Sequence, residues 1–184
     1  VALSLKKKGL AEIHLAISGL GPKACQRLKE NIGICKVIPQ GEGNLGLRMK
    51  KQILRVKKQR SYSNSTDARE IIIIGTDLPT LCENDLLRAS LSLKHNELVL
   101  GPSEDGGYWL IGFSSDFSSN LPYWPFCGIE WGTKNVLETT LNRAKEKNIN
   151  FSLLREQNDL DKLEDMRPWL APPQEQNLAS YVLP

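Results

Sequence analysis

Carboxylates stand out at three places in this chain. Asp77 follows the run IIII at residues 71–74, Glu104 and Asp105 precede Gly106 and Gly107 in LVLGPSEDGGYWLIGF at 98–113, and Asp159 and Asp161 follow the apolar residues 151–154. In an open α/β sheet, ligands bind beyond the carboxyl ends of the strands. Acids gathered there repel one another and are costly to desolvate, so a divalent cation is the simplest way to hold them together. Magnesium or manganese suits an all-oxygen set. Each acid also has a plainer reading: Asp77, Asp159 and Asp161 as helix caps, and residues 104–107 as a polar turn. A turn needs positive φ at Gly106 or Gly107, but it has no use for both Glu104 and Asp105.

The elements that must position these acids follow from the apolar pattern, in which strand-like runs alternate with helical ones as in an α/β domain with a largely parallel sheet. Residues 13–18 read as a strand, and Pro22 then opens a helix with Ala24, Cys25 and Leu28 on one face. Residues 35–38 read as a second strand. Leu45, Met49, Ile53 and Val56 mark a helix over 44–58. The isoleucine run predicts a central parallel strand buried on both faces. Thr80 and Glu83 have the capping-box spacing for the next helix. Residues 98–113 read as a hairpin. Over 133–147, Val136, Leu137, Thr140, Leu141 and Ala144 form one stripe, with Asn148 at the left-handed end. A strand at 151–154 and a short helix at 161–166 stopped by Pro168 complete the pattern.

At 184 residues the chain is long enough for one domain that buries about two thirds of its unfolded surface. Residues 1–170 read as that domain and 171–184 as an extended tail. No apolar run approaches the ~20 residues of a membrane helix, and no secretory signal is visible, so the expected compartment is the cytoplasm. Cys25, Cys35, Cys82 and Cys127 form no CxxC pair, which predicts reduced, mostly buried thiols. Net charge is +3, with Arg48, Lys50, Lys51, Arg55, Lys57, Lys58 and Arg60 crowded together. Such density suits a phosphate-rich partner or a solvated helix face, and without interleaved aromatics it does not point to nucleic acid.

The phrases IIIIGTDLPTL, LVLGPSEDGGYWLIGF, GIEWGTKNVLETTL and NDLDKLEDM together resemble a bacterial family of GT-A-like glycosyltransferases, some members of which are named for arsenosugar biosynthesis. More distantly they resemble molybdenum-cofactor and phospholactate guanylyltransferases. The resemblance spans residues 41–166 and implies a Rossmann-like GT-A fold, that is, a three-layer nucleotide-diphospho-sugar transferase with a mixed, mostly parallel sheet. It places Asp77 where GT-A enzymes carry a metal-binding acid, although Gly-Thr-Asp stands here in place of Asp-x-Asp. Asp161 resembles the second metal-side acid.

Gln40, Gly43, Leu45, Gly46 and Arg48 resemble the family's glutamine-to-arginine loop near the nucleotide, and Thr76, beside the metal-side acid, is expected to bind substrate. Glycosyl transfer needs a base, for which Asp105 is the first choice and Glu104 the second. Gly106 and Gly107 would let substrate approach the backbone, while Tyr108 and Trp109 offer faces on which a sugar can stack, and Trp131 reads equally as a third such face or as a core residue.

Three functions stay open: a metal-assisted glycosyltransferase moving a sugar from a sugar nucleotide to a hydroxyl acceptor, a nucleotidyltransferase releasing pyrophosphate, and a non-catalytic sugar-nucleotide binder. Acids without lysine after Leu100 favour the first. The family's opening strand and loop have no counterpart before Gly9, so the chain reads as an N-terminally shortened form. An open strand edge, self-association and weak or absent activity are expected of it.

Overall fold

The computed structural model describes residues 1–32, 36–62, 69–115, 117 and 126–158, the side chains of 59–62 apart. Along them run α1 (Ala2–Lys7), β1 (His14–Ile17), α2 (Pro22–Ile32), β2 (Lys36–Pro39), α3 (Leu45–Tyr62) and β3 (Ile71–Ile74). Then follow α4 (Glu83–Ser92), β4 (Leu98–Pro102), β5 (Tyr108–Phe113), α5 (Val136–Glu146) and β6 (Phe151–Leu153). The expected final helix, with Asp159 and Asp161, and the 171–184 tail lie outside the described residues, as does Cys35.

The strands form a parallel pair, β1–β2, and a four-stranded sheet in the order β3-β5-β4-β6. β5 is antiparallel to β3 and to β4, whereas β6 is parallel to β4. Consequently β3, β4 and β6 run in one direction, and the loops that follow them leave the sheet at one rim. The hairpin expected over 98–113 is present, with Leu98 opposite Phe113 and a register irregularity between Gly101 and Pro102.

Side-chain alternation across the sheet builds a three-layer α/β/α arrangement. Leu98, Leu100, Ile111 and Phe113 pack with Met49 and Ile53 of α3 and Ala144 of α5. On the other face Val99 and Leu110 pack with Leu5 of α1 and Leu86 and Ala89 of α4. Leu98, Val99 and Leu100 are 0% exposed, and each such side chain contributes about 1.5–3 kcal/mol by leaving water. The α5 stripe is also as expected: Val136, Thr140 and Ala144 are buried, Leu137 and Leu141 pack beside them, and Asn148 has φ 53°.

Three expectations are corrected. The isoleucine strand is not central: among the described residues β3 is an edge strand, paired antiparallel to β5 and only half-buried. Its apolar run reflects helices packed on both faces, which says nothing about how many strands flank it. The start of α4 lies beyond Thr80, because Cys82 is the N-cap and the Asp85 carboxylate accepts the Cys82 backbone N–H at 3.0 Å. Of the described cysteines only Cys25 is buried; Cys82 and Cys127 are exposed, and all are free.

Candidate functional site

The two acids of the 104–107 turn do different work. Asp105 Oδ1 accepts hydrogen bonds from Ser103 Oγ at 2.5 Å and from the Gly107 backbone N–H at 2.8 Å, so one carboxylate oxygen shapes the loop. Glu104 is exposed and has no hydrogen bond or ion pair among the described residues.

Gly106 has φ +86°, and a Cβ there would lie 2.1 Å from the Lys134 carbonyl oxygen, while its own carbonyl accepts the Leu137 N–H at 2.9 Å. The absent side chain at Gly106 therefore admits the turn that starts α5, rather than a substrate. Gly107 faces inward: a Cβ there would lie 3.1 Å from Asp105 Oδ1 and 3.2 Å from Ser103 Oγ.

Across the rim, Thr76 and Asp77 are exposed just after β3. The Gly75 N–H donates to the Trp109 carbonyl at 3.1 Å, continuing the β3–β5 ladder to the point where the Asp77 loop departs. Because α4 begins at Glu83 behind its own cap, Asp77 does not cap it. That plainer reading of Asp77 falls, and its carboxylate stands without a partner among the described residues.

A cluster that local sequence patterns do not reveal joins the rim loops. Arg155, just past β6, donates from Nε to Asp85 Oδ1 at 2.7 Å and from an Nη to Asp85 Oδ2 at 2.8 Å, and reaches the Thr80 carbonyl at 3.0 Å. The hydrogen bond from Arg155 holds the Asp85 carboxyl well below the usual carboxylate range, against the opposing effect of burial. Trp109 Nε1 donates to the Arg155 carbonyl at 3.2 Å, and Gln157 Oε1 accepts from Thr80 Oγ1 at 2.8 Å. The one sequence signal was an acid in the first turn of α4, which reads as capping.

The aromatic and loop candidates divide. Trp109 is corrected: it is 3% exposed, and Gly101 lies so close that a Cβ there would sit 2.4 Å from its ring, so it is a core residue and offers no stacking face. Tyr108 is half-buried, set edge-on to Trp131 with ring centroids 6.4 Å apart, and burial pushes its phenol up from the ordinary value. Trp131 is half-buried against Gly46, where a Cβ would lie 2.6 Å from the ring. It thus ties the start of α3 to the turn before α5.

In the loop between β2 and α3, Arg48 Nε donates to the Gly43 carbonyl at 2.7 Å and an Nη to Gln40 Oε1 at 3.4 Å. Lys51 Nζ reaches the Glu42 carbonyl at 2.8 Å and Arg55 the Pro39 carbonyl at 3.2 Å. These cations are occupied by loop carbonyls, which favours the helix-face reading of the basic segment over a phosphate patch.

Among the described residues no group of three or more His, Cys, Asp or Glu side chains could hold a metal. Asp77 fits the part of one exposed oxygen ligand, Asp85 is committed to Arg155, and Asp161 lies outside the described residues.

Known structures place this architecture. The fold is similar to that of a protein from Desulfovibrio desulfuricans G20 described as a "putative nucleotide-diphospho-sugar transferase", with a TM-score of 0.71 and 25% identity over 86% of this chain. The chain spans 66% of that protein's length, just under two thirds. By sequence the chain belongs to the family described as "Uncharacterized protein conserved in bacteria" (DUF2064), which matches residues 2–133. No curated protein matches it. No helix among the described residues is long and apolar enough to cross a membrane.

Proposed function

We propose that the chain is a glycosyltransferase that moves a sugar from a sugar nucleotide to a hydroxyl acceptor with a divalent cation, magnesium or manganese. The observation that carries this reading is the rim itself. The exposed Asp77 and the residues 104–107 loop leave the same edge of a sheet whose fold is similar to a nucleotide-diphospho-sugar transferase. Asp77, with Asp161 as its partner, would hold the cation, which when bound neutralises charge on the departing diphosphate.

Asp105 is the base. Ser103 and Gly107 fix its carboxylate in one orientation through Oδ1, leaving Oδ2 to take the acceptor proton. As that proton moves, the acceptor oxygen bonds to the anomeric carbon, the bond from that carbon to the phosphate oxygen breaks, and the nucleoside diphosphate leaves with the electron pair. Glu104, exposed beside it, is the second candidate. Trp131, edge to face with Tyr108 and packed against Gly46 at the start of α3, borders the segment through which Gln40, Gly43 and Arg48 would meet the nucleotide, Arg48 exchanging its bond to the Gly43 carbonyl for the ligand. The free thiols suit a reducing, cytoplasmic setting.

One observation favours a nucleotidyltransferase instead. The backbone of the exposed Lys134 lies against Gly106, so a lysine borders the acidic loop through its main chain, and its ammonium would have to turn toward the reacting phosphates. The products separate the two reactions. With a panel of sugar nucleotides, a hydroxyl acceptor and Mn²⁺, glycosyl transfer releases nucleoside diphosphate. Pyrophosphate released from a nucleoside triphosphate and a sugar phosphate would replace this reading with the second.

A further inference from the structure

Residues 155–157 leave β6 but do not leave the sheet. The Gln157 N–H donates to the Pro102 carbonyl at 3.1 Å, and Gln157 forms an isolated parallel bridge with Ser103. The Gln157 side chain is then turned into the protein, where the residue is 4% exposed. Burying a primary amide is unfavourable unless its groups are used, and here the use is uneven: Oε1 accepts from Thr80 Oγ1, whereas Nε2 is buried without a partner among the described residues. A side chain kept at such a cost in a position that packing alone could fill with an apolar residue needs a reason.

The reason is visible in what it connects. Thr80 belongs to the loop that carries Asp77. Ser103, itself 6% exposed, hydrogen-bonds Asp105. A continuous chain of contacts therefore runs from Thr80 through Gln157 and Ser103 to Asp105, joining the loop after β3 to the loop after β4. Arg155 anchors this strap by its paired hydrogen bonds to Asp85 and its contact with the Thr80 carbonyl.

We propose that Gln157 is a positioning residue: its buried amide sets the separation between the loop bearing Asp77 and the loop bearing Asp105. This rests on the transferase reading for its catalytic consequence, but not for its structural one. Misplacing reacting groups by about 1 Å can cost ~10²-fold in rate, so a strut between two loops has leverage that its single hydrogen bond does not suggest.

Gln157→Met keeps the volume and deletes the hydrogen bond. Amide hydrogen exchange on the ligand-free variant should speed up in residues 76–81 and 103–107 while β4 and β5 stay protected. With sugar nucleotide and Mn²⁺, kcat should fall about tenfold or more with KM little changed. Thr80→Val should reproduce both effects, and the double variant should be no worse than either single one. Unchanged exchange in both loops would overturn the proposal whatever the activity. Wild-type protein that turns over no sugar nucleotide would sink the transferase reading, while the exchange experiment still decides the role of Gln157. Should Gln157→Met fail to fold, the Thr80→Val arm carries the same test.

Discussion

The four-stranded sheet and the β1–β2 pair are built from similar apolar residues to different depths. Every residue of β4 is buried, and so is all of β5 after Tyr108. In contrast β1 is half-buried throughout, and β2 is exposed at both ends. The larger sheet has helices on both faces, whereas the smaller pair is held mainly by α2, of which only Cys25 is buried. Asp105 therefore stands on the most buried strands, and Asp77 on half-buried β3, which is paired to them through β5. The segment from Gln40 to Arg48, which leads from the end of β2 into α3, joins the less buried pair and is stitched by Arg48 and Lys51.

That contrast is broken most directly in the core. Ile111→Ala, at 1% exposure and facing α3 and α5, should lose about 2–5 kcal/mol in urea denaturation. Leu15→Ala in half-buried β1 should lose markedly less, and an equal loss would mean that Leu15 is packed as tightly as Ile111.

At the rim, Asp77→Asn is nearly isosteric and exposed, so turnover should fall by ~10²-fold or more while urea stability stays within about 0.5 kcal/mol. Near wild-type, metal-dependent activity in that variant would remove Asp77 from the site.

Asp85 is depressed by its hydrogen bonds from Arg155, so its contribution is complete above the unfolded carboxyl value of about 3.9 and is lost as pH falls below that. Glu12 is also depressed, first by its hydrogen bond from Lys36, but this pair is about half exposed on both sides and solvent screens it. Acid unfolding curves of Asp85→Asn should therefore be flatter than wild type below about pH 4, and those of Glu12→Gln should overlay it. The smallest expected effect concerns association. Because β3 is an edge strand among the described residues, weak self-association that rises with concentration is expected in sedimentation, and a strictly monomeric chain at high concentration would show that edge to be shielded.

Local pattern carried the elements well, because helix stripes and hairpin turns are short-range facts: the α5 stripe, the 98–113 hairpin and Asn148 all stand where periodicity put them. Pairing across long separations was not legible. Four isoleucines look the same at an edge as at a centre, and Trp109 looked available for stacking because nothing nearby in sequence reveals that Gly101 lies over it. Asp85 and Arg155 meet across 70 positions, and Gly106 owes its identity to Lys134 as much as to its own turn. Of the candidate site, sequence found the acids at the rim but not the strap that holds their loops.

On the proposed reading, the Asp77 side of the rim binds a sugar nucleotide through a divalent cation. Isothermal titration of the chain with a panel of sugar nucleotides, with and without Mn²⁺ and repeated for Asp77→Asn, tests it most directly. Binding should require Mn²⁺ and be lost in Asp77→Asn, with both proteins equally folded. Binding that is indifferent to Mn²⁺ and survives the substitution would remove Asp77 and the cation from the site and leave the nucleotide to the Gln40–Arg48 segment alone.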